Sequence, residues 1–235
     1  AEDGIRGVER SRGLGDVYKR QLEGFVTDKR KNLFRIILQD RTRHFTVVLE
    51  DIYQQHNASA VIRSCDIFGI QDVHVIENKY KSKVSKNIAK GSQKWLSFHN
   101  YKEDTNNTLE CLNSLKSKGY QIIATTPHNN SCSLHDFDIS KKSAFVFGVE
   151  KTGVSDLVMN NADKILRIPM VGFTESLNIS VAAAIILENL SHQLRNSALD
   201  WALTVEEQQI LYTSWIEKTI KNVDEIKERF IKNNS

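Results

Sequence analysis

From Thr27 onward, short apolar segments alternate with longer segments of helical period. The candidate strands are Phe45 to Leu49, Asp72 to Ile76, Trp95 to Phe98, Tyr120 to Thr125, Ala144 to Gly148 and Ile165 to Ile168. Between and around them lie candidate helices. Asp28 to Leu38 places Leu33, Phe34, Ile37 and Leu38 on one face, and His56 to Phe68 repeats Ala60, Val61, Ser64 and Ile67 before Gly69. Thr105 to Lys118 turns Leu109, Leu112 and Leu115 inward and ends at Gly119; Leu177 to Arg195 and Thr204 to about Phe230 follow. The strands read as apolar on both sides. That pattern suits a parallel sheet covered by helices on both faces, and the fold class is α/β.

The chain has 235 residues, room for one sizeable domain with helical extensions. No apolar run approaches the roughly 20 residues of a membrane span. Cys65, Cys111 and Cys132 are far apart and odd in number. That argues against a disulfide framework and for a reducing cytoplasm. Residues 1–21 are rich in Gly and Arg and show no period; Gly15 to Gln21 resembles translated adapter sequence, and a non-native or disordered leader is expected there. A basic N-terminal helix is expected over 22–43, the α/β domain over 44–198 and a helical extension over 199–235.

Net charge is only +3, but it is unevenly spread. Seven lysines and no acid fall between Asn78 and Lys102, among them Lys81, Lys83, Lys86 and Lys90. Lys29 and Arg30, with Arg41 nearby, form a second basic cluster, and Lys218, Lys221, Lys227 and Arg229 a third. Such patches attract a phosphate backbone, though charge alone fits a solvated surface equally well.

Three segments put polar residues where a core strand ends, which is where open α/β sheets bind ligands. The first runs from His56 to Arg63, with Asn57 entering a helix; alone it also reads as a helix cap and a surface arginine. The second, Phe145 to Gly153, holds Glu150 between Gly148 and Gly153; alone it also reads as a plain strand-to-helix turn. The third is Arg167-Ile168-Pro169-Met170 followed by Ser176-Leu177-Asn178-Ile179-Ser180. Pro169 and Pro127, the only two prolines, each directly follow a candidate strand. No Gly-rich loop follows the first strand, which disfavours a dinucleotide or Rossmann-type site.

Taken together and in order, these segments resemble the three motifs of the SPOUT superfamily, specifically its SpoU/TrmH branch of RNA ribose 2′-O-methyltransferases. The likeness lies in Asn57 to Arg63, in Gly148-x-Glu150-x-x-Gly153, and in Ile168-Pro169-Met170 with Ser176-Leu177-Asn178-x-Ser180. It covers roughly Asp28 to Arg195, and Thr46 to Glu50 is also similar to the tRNA-modifying members. The resemblance implies a C-terminal trefoil knot, which no periodicity here would have suggested. It implies S-adenosyl-L-methionine as methyl donor, no metal, and a homodimer with the first motif near the interface. Carried over, the donor pocket uses Thr125, Thr126, Gly148, Ile168, Met170 and Leu177, and the reacting site uses Asn57, Arg63, Glu150, Ser176 and Asn178. Arg63 is then a proton acceptor or a phosphate clamp, held with the ribose by Asn57, Ser176 and Asn178, while Glu150 pairs with a cation or braces its loop. His56, His74 and His128 are weaker candidate bases. The implied substrate is tRNA at guanosine 18 in the D-loop; the alternatives are ribosomal RNA and a catalytically silent RNA-binding protein on the same scaffold.

Overall fold

The computed structural model describes residues 17–79, 91–103, 106–127, 131–150 and 152–234. Seven strands form one sheet: β1 (Phe45–Glu50), β2 (Asp72–Ile76), β3 (Ser97–Tyr101), β4 (Gln121–Thr125), β5 (Cys132–Ser133), β6 (Ser143–Phe147) and β7 (Lys164–Arg167). Their order is β3-β2-β1-β6-β4-β7-β5, and every pairing is parallel. After a helical stretch over 17–23 come α1 (Asp28–Gln39), α2 (Gln55–Ile67), α3 (Asn107–Ser117), α4 (Asp156–Asn161), α5 (Ile179–Arg195), α6 (Val205–Thr219) and α7 (Val223–Asn234). None of the described helices is long and apolar enough to cross a membrane.

The sheet separates two cores, and single strands feed both. Val47 and Leu49 of β1 join Phe145 and Phe147 of β6 on the face covered by α2 and α5. Val48 of β1 joins Ala144 and Val146 of β6 on the face covered by α3 and α4. Successive strand residues point to opposite faces, so a strand buried on both sides must be apolar throughout. All residues of β1, β2 and β6 are buried.

Arg41–Ala202 form one compact unit; Ala1–Asp40 and Leu203–Ser235 supply the other. Thr42 ties the first unit's ends together: its Oγ1 donates to Trp201 O at 2.6 Å and its N–H to Gly69 O at 2.9 Å. In the second unit, Phe34 of α1 packs edge-on against Trp215 of α6 with ring centroids 5.5 Å apart. Residues 17–23 are helical, so the expected leader boundary at residue 21 falls inside a helix; Leu22 is buried there.

Two strands differ by more than one residue from the sequence reading. The third begins two residues late, because Trp95 and Leu96 follow the short 3-10 turn Ser92–Lys94. β5 was not expected, and at two residues it is too short to show a period.

Candidate active site

β6 lies between β1 and β4, while β7 flanks β4 on its other side. Chain direction across the sheet therefore reverses around β1, β6 and β4, and a crevice opens at their carboxyl ends. A cavity of about 830 Å³ fills this place. Its walls are the turns after β4, β6 and β7 and the first turns of α5. All six residues expected in a donor pocket line it: Thr125, Thr126, Gly148, Ile168, Met170 and Leu177.

The turn after β6 has its own logic. Val149 N–H donates to Gly153 O at 2.9 Å, and Gly153 N–H donates back to Val149 O at 2.7 Å. This tight closure presses Gly153 against Gly148, where a Cβ would stand 2.1 Å from Gly153 O. Gly153 itself has φ +70°, a conformation that favours glycine. Gly148 is thus required by the approach of the chain's own backbone. Beyond the turn, Ser155 caps α4, its Oγ accepting from Val158 N–H.

At the rim, three of the five polar candidates meet. Asn57 Nδ2 donates to Glu150 Oε1 at 2.8 Å, and Asn178 Nδ2 donates to the same oxygen and to Asn57 Oδ1, the latter at 3.2 Å. Asn178 also caps α5, its Oδ1 accepting from Ser180 N–H at 2.9 Å. Asn57 does not cap α2 as expected. It lies within the helix's first turn, 3% exposed, because Gln54 takes the cap position and accepts from Asn57 Nδ2. The two amides therefore hold Glu150; neither holds Arg63. Ser176 lines the cavity and is exposed.

Arg63 stands apart from this cluster. It is exposed on α2 and has no hydrogen-bond or ion-pair partner among the described residues. Of the expected RNA contacts, Lys29 and Arg30 are exposed on α1. Arg41 is corrected: its guanidinium is buried, paired with Asp66 and donating to Ile70 O, so no phosphate reaches it. Lys81, Lys83, Lys86 and Lys90 lie outside the described residues, as does His128.

Sequence reasoning missed Glu50. This carboxylate ends β1 and is 3% exposed. Its Oε1 accepts from Ser155 Oγ at 2.8 Å and Thr108 Oγ1 at 2.9 Å, and its Oε2 from Ser155 N–H at 2.9 Å. It pins the turn after β6 from below. Thr46 to Glu50 was the only signal that pointed there. Of the histidines, His56 is exposed. His74 is buried, and burial, then the neighbouring His99, pushes its pKa down to about 3, so it stays neutral and acts in packing. Cys65 and Cys111 are buried, and burial pushes the Cys111 thiol up to about 12, which suits an inert side chain.

Fold and site together are those of an α/β enzyme with a cofactor-sized cleft at a strand-order switch. Residues 44–188 match the SpoU rRNA Methylase family, and the chain belongs to that family. It is 42% identical over 209 residues to the tRNA (guanosine(18)-2′-O)-methyltransferase of Borreliella burgdorferi, spanning 88% of this chain and 94% of that protein. Among solved structures, it is similar to the Aquifex aeolicus TrmH/SpoU tRNA modifying enzyme, with TM-score 0.73, 30% identity, and 83% and 98% of the two chains covered. The SpoU methyltransferase AviRb of Streptomyces viridochromogenes, solved in complex with the cofactor AdoMet, shares the fold at TM-score 0.56 and 22% identity over 69% of this chain and 62% of that one.

Proposed function

We propose that this chain transfers a methyl group from S-adenosyl-L-methionine to the ribose 2′-hydroxyl of guanosine 18 in the D-loop of tRNA. The observation that carries this is the joining of Asn57, Glu150 and Asn178 at the rim of the cavity. A relative of that activity, matched over 94% of its length, sets the substrate class. The cavity volume suits a nucleoside-sized donor, and its mixture of turn backbone and apolar walls such as Leu166, Ile168 and Ile186 suits a purine beside an amino-acid chain.

The donor supplies a methyl group on a cationic sulfur. The remaining tasks fall to the chain: aligning the hydroxyl in line with that methyl and disposing of its proton. Asn57 and Asn178 fix Glu150 so that one carboxylate oxygen is occupied and the other is free of both amides. Glu150 braces its loop and presents negative charge toward the sulfonium. Ser176, which lines the cavity, bonds the ribose in this reading. Arg63 carries a planar guanidinium with five N–H donors and no acceptor. It acts as a bidentate clamp on the phosphate next to the target ribose.

The active form is a homodimer. Support comes from exposed apolar side chains on two helices packed together: Ile67 on α2, and Val181 and Ile185 on α5. Phe173 and Val171, on the rim loop before α5, are fully exposed as well. Arg63 precedes Ile67 by one turn, so a second copy on this face lies against Arg63. The trefoil-knot reading is supported by the insertion of β6 between β1 and β4. Lys29 and Arg30, with Lys81, Lys83, Lys86 and Lys90, are the proposed RNA contacts. Three free cysteines suit a reducing cytoplasm.

The test is incubation of the protein with labelled methyl donor and total tRNA, followed by mapping of the methylated nucleotide. Label at the 2′-oxygen of guanosine 18 is the expected result. Label only in ribosomal RNA added in parallel, or none in either RNA, overturns it.

A further inference from the structure

The opposite edge of the sheet carries a second concave surface, far from the reacting groups. It has a volume of about 440 Å³ and is lined by Lys116, Lys141 and Lys142 together with Tyr120, Gln121 and Asp163. These residues precede or open β4, β6 and β7, whose carboxyl ends form the cavity. Strands of five residues at about 3.3 Å each set the two surfaces roughly 17 Å or more apart.

The three lysines are exposed, and none has an ion-pair partner among the described residues. The one carboxylate among the lining residues, Asp163, is engaged, its Oδ2 accepting from Ile122 N–H at 2.7 Å. The backbone beneath the lysines is fixed. Ser143 Oγ donates to Lys141 O at 2.8 Å, and Gln121 N–H donates to Lys142 O at 2.9 Å. The Lys142 ammonium lies over the Tyr120 ring, 5.7 Å from its centroid. Lys116 in the last turn of α3 is also explained by the helix dipole. Lys141 and Lys142 are not part of a helix end, so that dipole does not account for them. A solvated patch needs neither concavity nor a braced turn.

We infer that this amino-edge concavity is a second docking surface for the phosphate backbone of the RNA substrate, contacting an arm remote from the methylated nucleotide. The inference rests on the proposed function, which supplies an RNA substrate large enough to reach both ends of the strands. Contacts of this kind position a nucleic acid without reading its sequence. They add affinity for whole tRNA and leave the chemical step alone.

The test compares wild type with Lys141→Ala/Lys142→Ala and with Lys116→Ala/Lys141→Ala/Lys142→Ala, using purified whole tRNA. The double variant avoids any loss from the α3 terminus, and thermal melting checks folding of both. Binding is measured across a salt series. Each phosphate contact contributes roughly 0.7 to 0.9 to the slope of log affinity against log salt. The slope falls by about 1.6 in the double variant and about 2.4 in the triple, with a several-fold rise in KM and unchanged kcat at saturating tRNA. Backbone footprinting of the tRNA loses protection at a segment away from the modified nucleotide and keeps it beside that nucleotide. Unchanged slope and footprint in a variant while the wild type methylates tRNA overturn this inference alone. Protection lost evenly over the whole RNA also overturns it, since that reports only net charge. A wild type that neither binds nor methylates tRNA sinks the function on which it rests.

Discussion

Replacing Gly148 by alanine isolates what the turn after β6 contributes. The added Cβ would stand 2.1 Å from Gly153 O, 2.3 Å from Gly153 C and 2.4 Å from Val154 N. All three are backbone atoms, so no side chain can swing away, and the two segments must part by about 1.3 Å or more to reach ordinary contact. Parting them breaks the reciprocal hydrogen bonds between Val149 and Gly153, each worth about 1 kcal/mol. It also drags Ser155 from Glu50, where a buried carboxylate loses bonds worth about 1.5 to 3 kcal/mol. The total is about 3.5 to 5 kcal/mol, a large part of the 5 to 15 typical of a domain. Urea denaturation reads this loss directly, and calorimetric titration with S-adenosyl-L-methionine reads its effect on the cavity. Gly172→Ala is the control. Gly172 lines the same cavity, yet a Cβ there meets nothing within 4 Å. We expect Gly148→Ala to lose stability and donor binding together and Gly172→Ala to keep its stability. If Gly148→Ala remains within about 0.5 kcal/mol of wild type with donor affinity intact, the turn does not hold the cavity in the way argued.

Arg63→Ala should lower methylation by about 100-fold or more while melting temperature and donor affinity stay at wild-type values, because Arg63 is exposed and supports no described partner; parallel turnover and binding assays decide it, and surviving activity removes Arg63 from the site. Ile185→Glu places a charge on the exposed face of α5 and should halve the mass measured by light scattering, abolishing methylation at the same time; an unchanged mass argues against that face as the interface. His74 gives a pH prediction. Its folded pKa of about 3 lies below the roughly 6.5 of an unfolded histidine, so the unfolded chain takes up a proton first and stability drains as pH falls below 6.5. At pH 5 this amounts to about 2 kcal/mol, at roughly 1.4 per pH unit. Denaturation of His74→Gln between pH 7.5 and 5 should show a flatter loss than wild type, and parallel curves would rule the assignment out.

Where burial alone decides structure, the sequence is readable; where partners are distant in the chain, it is not. β1 and β2 announce themselves because both faces of each are covered, leaving no polar alternation to confuse their limits. β3 is harder. It is an edge strand carrying His99 and Asn100, while the apolar Trp95 and Leu96 belong to the preceding turn. Asn57 has the residue type of a helix cap and sits one turn too deep for it. Its partner Glu150 is 93 residues away, and only the whole motif set links them. Glu50 is the clearest case. A glutamate at a strand end looks like a surface residue until Thr108 and Ser155, separated from it by 58 and 105 residues, close over it. Arg41 misleads in the opposite sense, a member of a basic cluster whose charge is spent inside on Asp66.

Two carboxylates grip the same turn from opposite sides, and their surroundings assign them different work. Glu50 lies beneath, buried, with Oε1 accepting two hydroxyl bonds and Oε2 a backbone N–H. Both of its oxygens are bonded, so it serves as a fixed anchor for Ser155 and the start of α4. Glu150 lies above, exposed at the rim, with both amides gathered on one oxygen. Its second oxygen takes neither of those amide bonds. Because α2 supplies Asn57 and the start of α5 supplies Asn178, the rim carboxylate is held by the same two helices that expose Ile67 and Ile185. A second copy docked on that face would therefore also stiffen Glu150. Preorganised charge of this kind needs no rearrangement during reaction, which is how a site made mostly of turns can still place its dipoles accurately.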